Sequence, residues 1–261
     1  MNKVDLKTDD RGVARINLNN PEKHNAFDDA IILQLDAAFK AVSANPDVKA
    51  VVLGSNGKHF SAGADLEWMK RMADYSYEDN LADARALANM LSSLKQIPQP
   101  TIARVQGAAY GGAVGLISCC DIAVASTHAS FALSEVKLGL VPATISPYVI
   151  DAIGARQAQR YFVTAERFKA QRGFDIGLVH EVVENQDLDE VIDQLLEHIL
   201  ANGPSAVQIA KELINTVSDQ PLDQPLIDHT CEVIANIRIS PEGQEGLNAF
   251  LNKRNPQWQR D

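Results

Sequence analysis

Short apolar runs alternate with amphipathic stretches until about residue 200, and beyond it only helical periodicity remains. Val13-Ala14-Arg15-Ile16-Asn17-Leu18 alternates as a half-buried strand does and stops at Asn19-Asn20-Pro21. Between Asp28 and Val42 the residues Ile31, Ile32, Leu35, Ala38, Phe39 and Val42 recur at helical spacing. Ala50-Val51-Val52-Leu53 predicts a buried strand, and 81–94 a helix that Pro98 and Pro100 stop. Further strands are expected at 101–105, 121–125 and 131–133. Strand and helix in alternation require an α/β fold with largely parallel pairing, because parallel neighbours need a crossover between them. The stretches 188–200, 205–217, 222–237 and 241–252 all read as helices. We therefore expect an α/β core over 1–200 and a helical region over 201–261.

Composition narrows the function. A net charge of −10 gives no general attraction for nucleic acid or anionic membrane. The nearly uncharged run from Val105 to Ser126 is broken by Gln106, glycines and Asp121. It falls short of the roughly 20 unbroken apolar residues of a membrane helix. The N-terminal stretch Met1-Asn2-Lys3-Val4-Asp5 lacks a leader pattern, so a cytoplasmic location is expected. Cys119, Cys120 and Cys231 show no CxxC spacing and are expected as small buried hydrophobes.

Familiar motifs fail by one or two residues or are absent. Gly107 and Gly112 have P-loop spacing, but Ala113-Val114 stands where Lys-Ser/Thr belongs. Ala109 breaks the dinucleotide fingerprint. Glu184 takes the place of the second histidine after His180-Glu181, and no GxSxG elbow exists, so no metal site is expected.

What remains is a glycine run, Gln106-Gly107-Ala108-Ala109-Tyr110-Gly111-Gly112, that leads into a short apolar helix, with Glu135 downstream. Unpaired N–H groups at a helix start stabilise oxygen that gains negative charge. The loop His59-Phe60-Ser61-Ala62-Gly63-Ala64-Asp65 can supply a second donor, with Asp65 as cap of a helix over 66–72. A carboxyl beside two such donors suits proton movement next to a carbonyl. Taken singly, each piece has a plainer reading as close packing, a turn or a surface carboxylate.

With Asn20-Pro21-Glu22-Lys23-His24-Asn25-Ala26, Phe60 to Leu66, Gln106 to Gly112, Cys120 to Ala125, Phe131 to Gly139 and Phe250 to Arg254, the chain resembles the enoyl-CoA hydratase/isomerase (crotonase) superfamily over nearly its full length. The wording of 61–70 and 133–140 is similar to bacterial methylglutaconyl-CoA hydratases. The resemblance implies a spiral of ββα repeats with a helical C-terminal region that trimerises, giving a homotrimer or a dimer of trimers. It implies an acyl-CoA thioester as substrate, the source of the coenzyme A, and no permanently bound cofactor.

Carried over by position, Glu135 is the acid, and Ala64 and Gly112 are the oxyanion donors. Lys23, His24, Ala62, Ala64, Asp65, Leu66, Phe250 and Lys253 are expected around the nucleotide. Trp68, Met69, Met72, Gly111, Gly115 and Tyr148 are expected along the acyl pocket. One departure bears on mechanism: relatives that hydrate commonly carry a second glutamate where Gly115 stands. Another is the bulk of Ile145 and Tyr148 in a loop that is glycine-rich in many relatives. Hydration, of 3-methylglutaconyl-CoA in leucine degradation, is the first reading. Δ3-Δ2 isomerisation by a single glutamate is the second, and a non-catalytic, RNA-associated homologue the third. The negative charge weighs against the last.

Overall fold

The larger sheet runs in the order β1-β2-β3-β4-β6-β9, built from Val4–Thr8, Val13–Leu18, Ala50–Ser55, Thr101–Val105, Ile122–Ser126 and Glu181–Val183. β1 pairs antiparallel with β2, and every later neighbour pairs in parallel. The smaller sheet is β5-β7-β8, from Ala108–Tyr110, Ser130–Ala132 and Phe168–Lys169. The computed structural model describes residues 3–259, so Met1 and Asn2 of the N-terminal stretch lie outside it.

The expected ββα repeat is visible in how the sheets alternate. β3 enters the larger sheet, the next segment bridges to β5 at Ser61, and α2 (Leu66–Met72) and α3 (Tyr77–Lys95) follow. Then β4, β5 and α4 (Gly112–Cys119) repeat the pattern, as do β6, β7 and α5 (Ser146–Thr164). First strands build one layer and second strands the other. α1 (Asp29–Ser43) joins β2 to β3, while α6 (Ala170–Asp175) and α7 (Leu188–Leu200) flank β9.

β3 is buried throughout, and its run Ala50-Val51-Val52-Leu53 is apolar because both its faces are covered. Val51 and Leu53 join the main core with α1, α3, α4 and α5 residues. Ala50 and Val52 face Leu188, Ile192 and Leu196 of α7. α5 is broken at Gly154, whose φ of +74° and ψ of 153° favour glycine.

The last helices, α8 (Pro204–Val217), α9 (Gln224–Ile239) and α10 (Pro241–Leu251), bury little within one chain. Neither α8 nor α9 has a buried residue, and Ile239, Phe250 and Leu251 stand exposed. This corrects one expectation. Cys119 and Cys120 are buried, with the Cys120 thiol pushed up to about 12 by burial, but Cys231 is exposed because it lies off the half-buried stripe of Leu226, Thr230, Val233 and Ile237 on α9. Among the described residues no helix is long and apolar enough to cross a membrane, and no metal-binding cluster of His, Cys, Asp or Glu occurs.

Candidate active site

Three parallel segments end side by side, and the residues that follow each of them form the candidate site. Ser61 donates its N–H to Ala108 and accepts from Tyr110 N, at 3.1 and 3.0 Å. β5 pairs with β7 with Tyr110 beside Ala132, and Gly111 N extends the ladder to Ala132 O at 2.9 Å. The chain then diverges into Gly63-Ala64, Gly111-Gly112 and Ser134-Glu135.

Phe27 ties the first two together. Its N–H donates to Gly63 O and its carbonyl accepts from Asp65 N, each at 2.7 Å. That parallel bridge uses the groups on either side of Ala64, so the Ala64 N–H points away from Phe27. It has no partner among the described residues. The Phe27 ring lies 3.5 Å from where a Cβ on Gly112 would stand. Gly112 opens α4, so its N–H is one of the unpaired donors of a helix start. Gly111, the cap, has φ +54°.

Glu135 begins a short 3₁₀ turn directly after β7. A Cβ on Gly111 would lie 3.1 Å from Glu135 Oε1, so the missing side chain leaves the carboxyl its place beside α4. Glu135 Oε2 is buried without a hydrogen-bond partner. Burial pushes this carboxyl above the usual range. An acid whose carboxyl burial shifts toward the neutral form, next to two free N–H groups, can exchange a proton with carbon beside a polarised carbonyl.

α2 and α3 form the neighbouring wall. Asp65 caps α2 through bonds from Glu67 N (2.9 Å) and Trp68 N (3.1 Å), and its other oxygen takes Lys23 Nζ at 2.8 Å. Burial opposes ionisation of Asp65, but Lys23 and the two N–H groups hold the carboxyl below the usual range. Trp68 is buried and donates Nε1–H to Asp83 Oδ1 at 3.2 Å, while burial pushes Asp83 up. Met69, Met72 and Tyr148 are half-buried, and Leu66 is exposed.

Gly115 faces no open space. A Cβ there would meet Ile145 Cγ2 at 2.3 Å and Ile145 Cβ at 2.8 Å.

The residues expected around a nucleotide are only partly assembled. The Lys23 ammonium is engaged with Asp65. His24, at φ +52°, sets its ring edge-on to His59 at 5.0 Å, and exposed Ala62 donates to His24 O. Phe250 and Lys253 lie at the end of α10, which packs on α8 and α9, so one chain does not bring them to Glu135. A cavity of about 810 Å³, lined by Arg15, Lys58, Arg104, Arg167 and Lys169, takes in none of Ala64, Gly112 and Glu135. Sequence reasoning missed Phe27 and Asp83, whose roles come from register and from helix packing.

The model of the family described as enoyl-CoA hydratase/isomerase matches residues 8–261. The crystal structure of an enoyl-CoA hydratase from Shewanella pealeana superposes with a TM-score of 0.95 at 48% identity, covering 98% of this chain and 96% of that one. An enoyl-CoA hydratase of Alternaria alternata is 32% identical over 252 residues, 95% of this chain and 82% of its own length. A trans-2-decenoyl-[acyl-carrier-protein] isomerase of Streptococcus mutans is 28% identical over 251 residues, 95% of each chain.

Proposed function

The chain belongs to the enoyl-CoA hydratase/isomerase family, and from that premise we propose that it hydrates an enoyl-CoA thioester with Glu135 as its acid. The carrying observation is the half-buried Glu135 carboxyl against Gly111, its Oε2 buried without a partner, beside the unpaired N–H groups of Ala64 and Gly112. The thioester oxygen sits between those N–H groups and becomes enolate-like as the β-carbon is attacked. Fixed dipoles stabilise that state more than the neutral thioester, by about 3–4 kcal/mol per donor in comparable oxyanion holes.

The balance closes with one acid. Glu135 delivers its proton to the α-carbon, water places its oxygen on the β-carbon, and the other proton of water returns to Glu135. The proposed substrate is a dicarboxylic enoyl-CoA such as 3-methylglutaconyl-CoA, which places the enzyme in leucine breakdown. The wording of 61–70 and 133–140 supports this, and a carboxylate on the substrate is available to orient water where α4 offers none. Coenzyme A arrives with the substrate. Exposed Phe250 and Leu251 support a homotrimer, or a dimer of trimers, in which Phe250 and Lys253 of a neighbour cover the nucleotide.

The sealed position at Gly115 favours a second reading, double-bond isomerisation, in which Glu135 carries a proton from the α- to the γ-carbon. Turnover of an enoyl-CoA panel in H₂¹⁸O separates the two: hydration puts the label on the β-carbon, and isomerisation does not. Activity that survives intact in Glu135→Gln would remove both readings.

A further inference from the structure

Two features of the site meet at a single contact. Gly115 stands on α4, four residues after the cap Gly111 and so about one turn further along the helix. Gly111 faces Glu135, and Gly115 faces Ile145. Ile145 is 2% exposed, and Leu91 of α3 lies behind, 3.5 Å from a Cβ on Gly115. α5, which Ile145 caps, packs against both α4 and the turn that begins at Glu135. The apolar side chain therefore fills the space at Gly115, about one turn along α4 from the glycine that faces the acid.

That space does not open by rotating a side chain. Ile145 Cβ itself comes within 2.8 Å of a Cβ on Gly115, and Cβ moves only with the backbone. The backbone is pinned on both sides of Ile145. Ser146 N and Oγ donate to Ala143 O at 3.2 and 2.7 Å, and Val149 N donates to Ile145 O at 3.0 Å.

We propose that Ile145 is the specificity-determining residue of the acyl pocket: its side chain takes the place of a second carboxylate on α4, so Glu135 works alone and the acyl chain meets hydrocarbon. This rests on the enoyl-CoA reading above. Ile145 limits the room for substituents next to the reacting carbons and leaves α4 no room for a second protein carboxylate beside Glu135.

The test uses full-length wild type, Ile145→Val, Ile145→Ala, Gly115→Glu and the Gly115→Glu/Ile145→Ala pair, with straight-chain, β-branched and dicarboxylic enoyl-CoAs. Shortening residue 145 should shift relative kcat/KM toward bulkier acyl groups by about tenfold or more for alanine, the scale on which hydrophobic pockets discriminate small groups, with valine between. Gly115→Glu alone should lower the thermal midpoint. The pair should recover it and add a second ionisation to the pH profile of crotonyl-CoA hydration. Folded valine and alanine variants with wild-type acyl preference, or a pair no more stable than Gly115→Glu, overturn the proposal. Wild type with Glu135-dependent turnover and a flat Ile145 series sinks this proposal alone. A wild type that turns over no enoyl-CoA sinks the reading beneath it as well.

Discussion

Glu135 sets stability against chemistry. Its Oε2 is buried without a partner, so the folded state holds the carboxyl neutral to higher pH than the unfolded chain does. The folded pKa lies above the unfolded one. The stability linked to this group is therefore complete below the ordinary carboxylate range and is lost as pH rises through the folded pKa. Glu135→Gln should lower kcat by about 10²–10⁴, the usual weight of a general acid, and raise the thermal midpoint at neutral pH. The gain should shrink toward acid pH, which melting curves across pH will show. The sequence made Glu135 legible only together with the glycine run, since a lone glutamate looks like any surface carboxylate. Phe27 gave no such signal, because its bridge to Ala64 depends on a parallel register that no local period encodes.

At the scale of elements, α2 is the short helix whose position decides where Trp68 and Met69 stand. Asp65 caps it and holds Lys23, so Asp65→Ala should destabilise by about 1–2 kcal/mol and raise KM. Asp65→Asn keeps a capping oxygen and should cost less, a contrast that denaturant titration and steady-state kinetics will read. Gly154 breaks α5 in a backbone region nearly closed to other residues, so Gly154→Ala should cost about 1–3 kcal/mol in urea unfolding. The cap at Asp65 and the helices over 28–42, 81–94 and 188–200 were readable, because each shows a start signal or a clean apolar stripe. α5 is not legible in the sequence, because Gly154 interrupts its period and Pro147 stands in its first turn. β5 is not legible as a strand either, being three residues long and hidden in the glycine run.

For the whole molecule, the change of pattern near residue 200 corresponds to a change in what the helices cover. α7 lies on the larger sheet, whereas α8 and α9 have no buried residue. Apolar side chains at Ile239, Leu247, Phe250 and Leu251 are left to solvent in one chain. Sedimentation should therefore find an assembly of identical chains, and Leu251→Asp should shift it toward smaller species with lower activity per chain. The helical tail was legible as helix but not as surface, since periodicity shows that a face is apolar and not which molecule covers it.

The contact between Gly115 and Ile145 also has an evolutionary consequence. Enlarging the first residue alone drives two backbones apart, and trimming the second alone leaves a void. Descendants of such a protein cannot regain a paired-carboxylate pocket by one tolerated step. Across homologous genes the two positions should be inherited as a couple, with glutamate on the helix accompanied by a small residue opposite it.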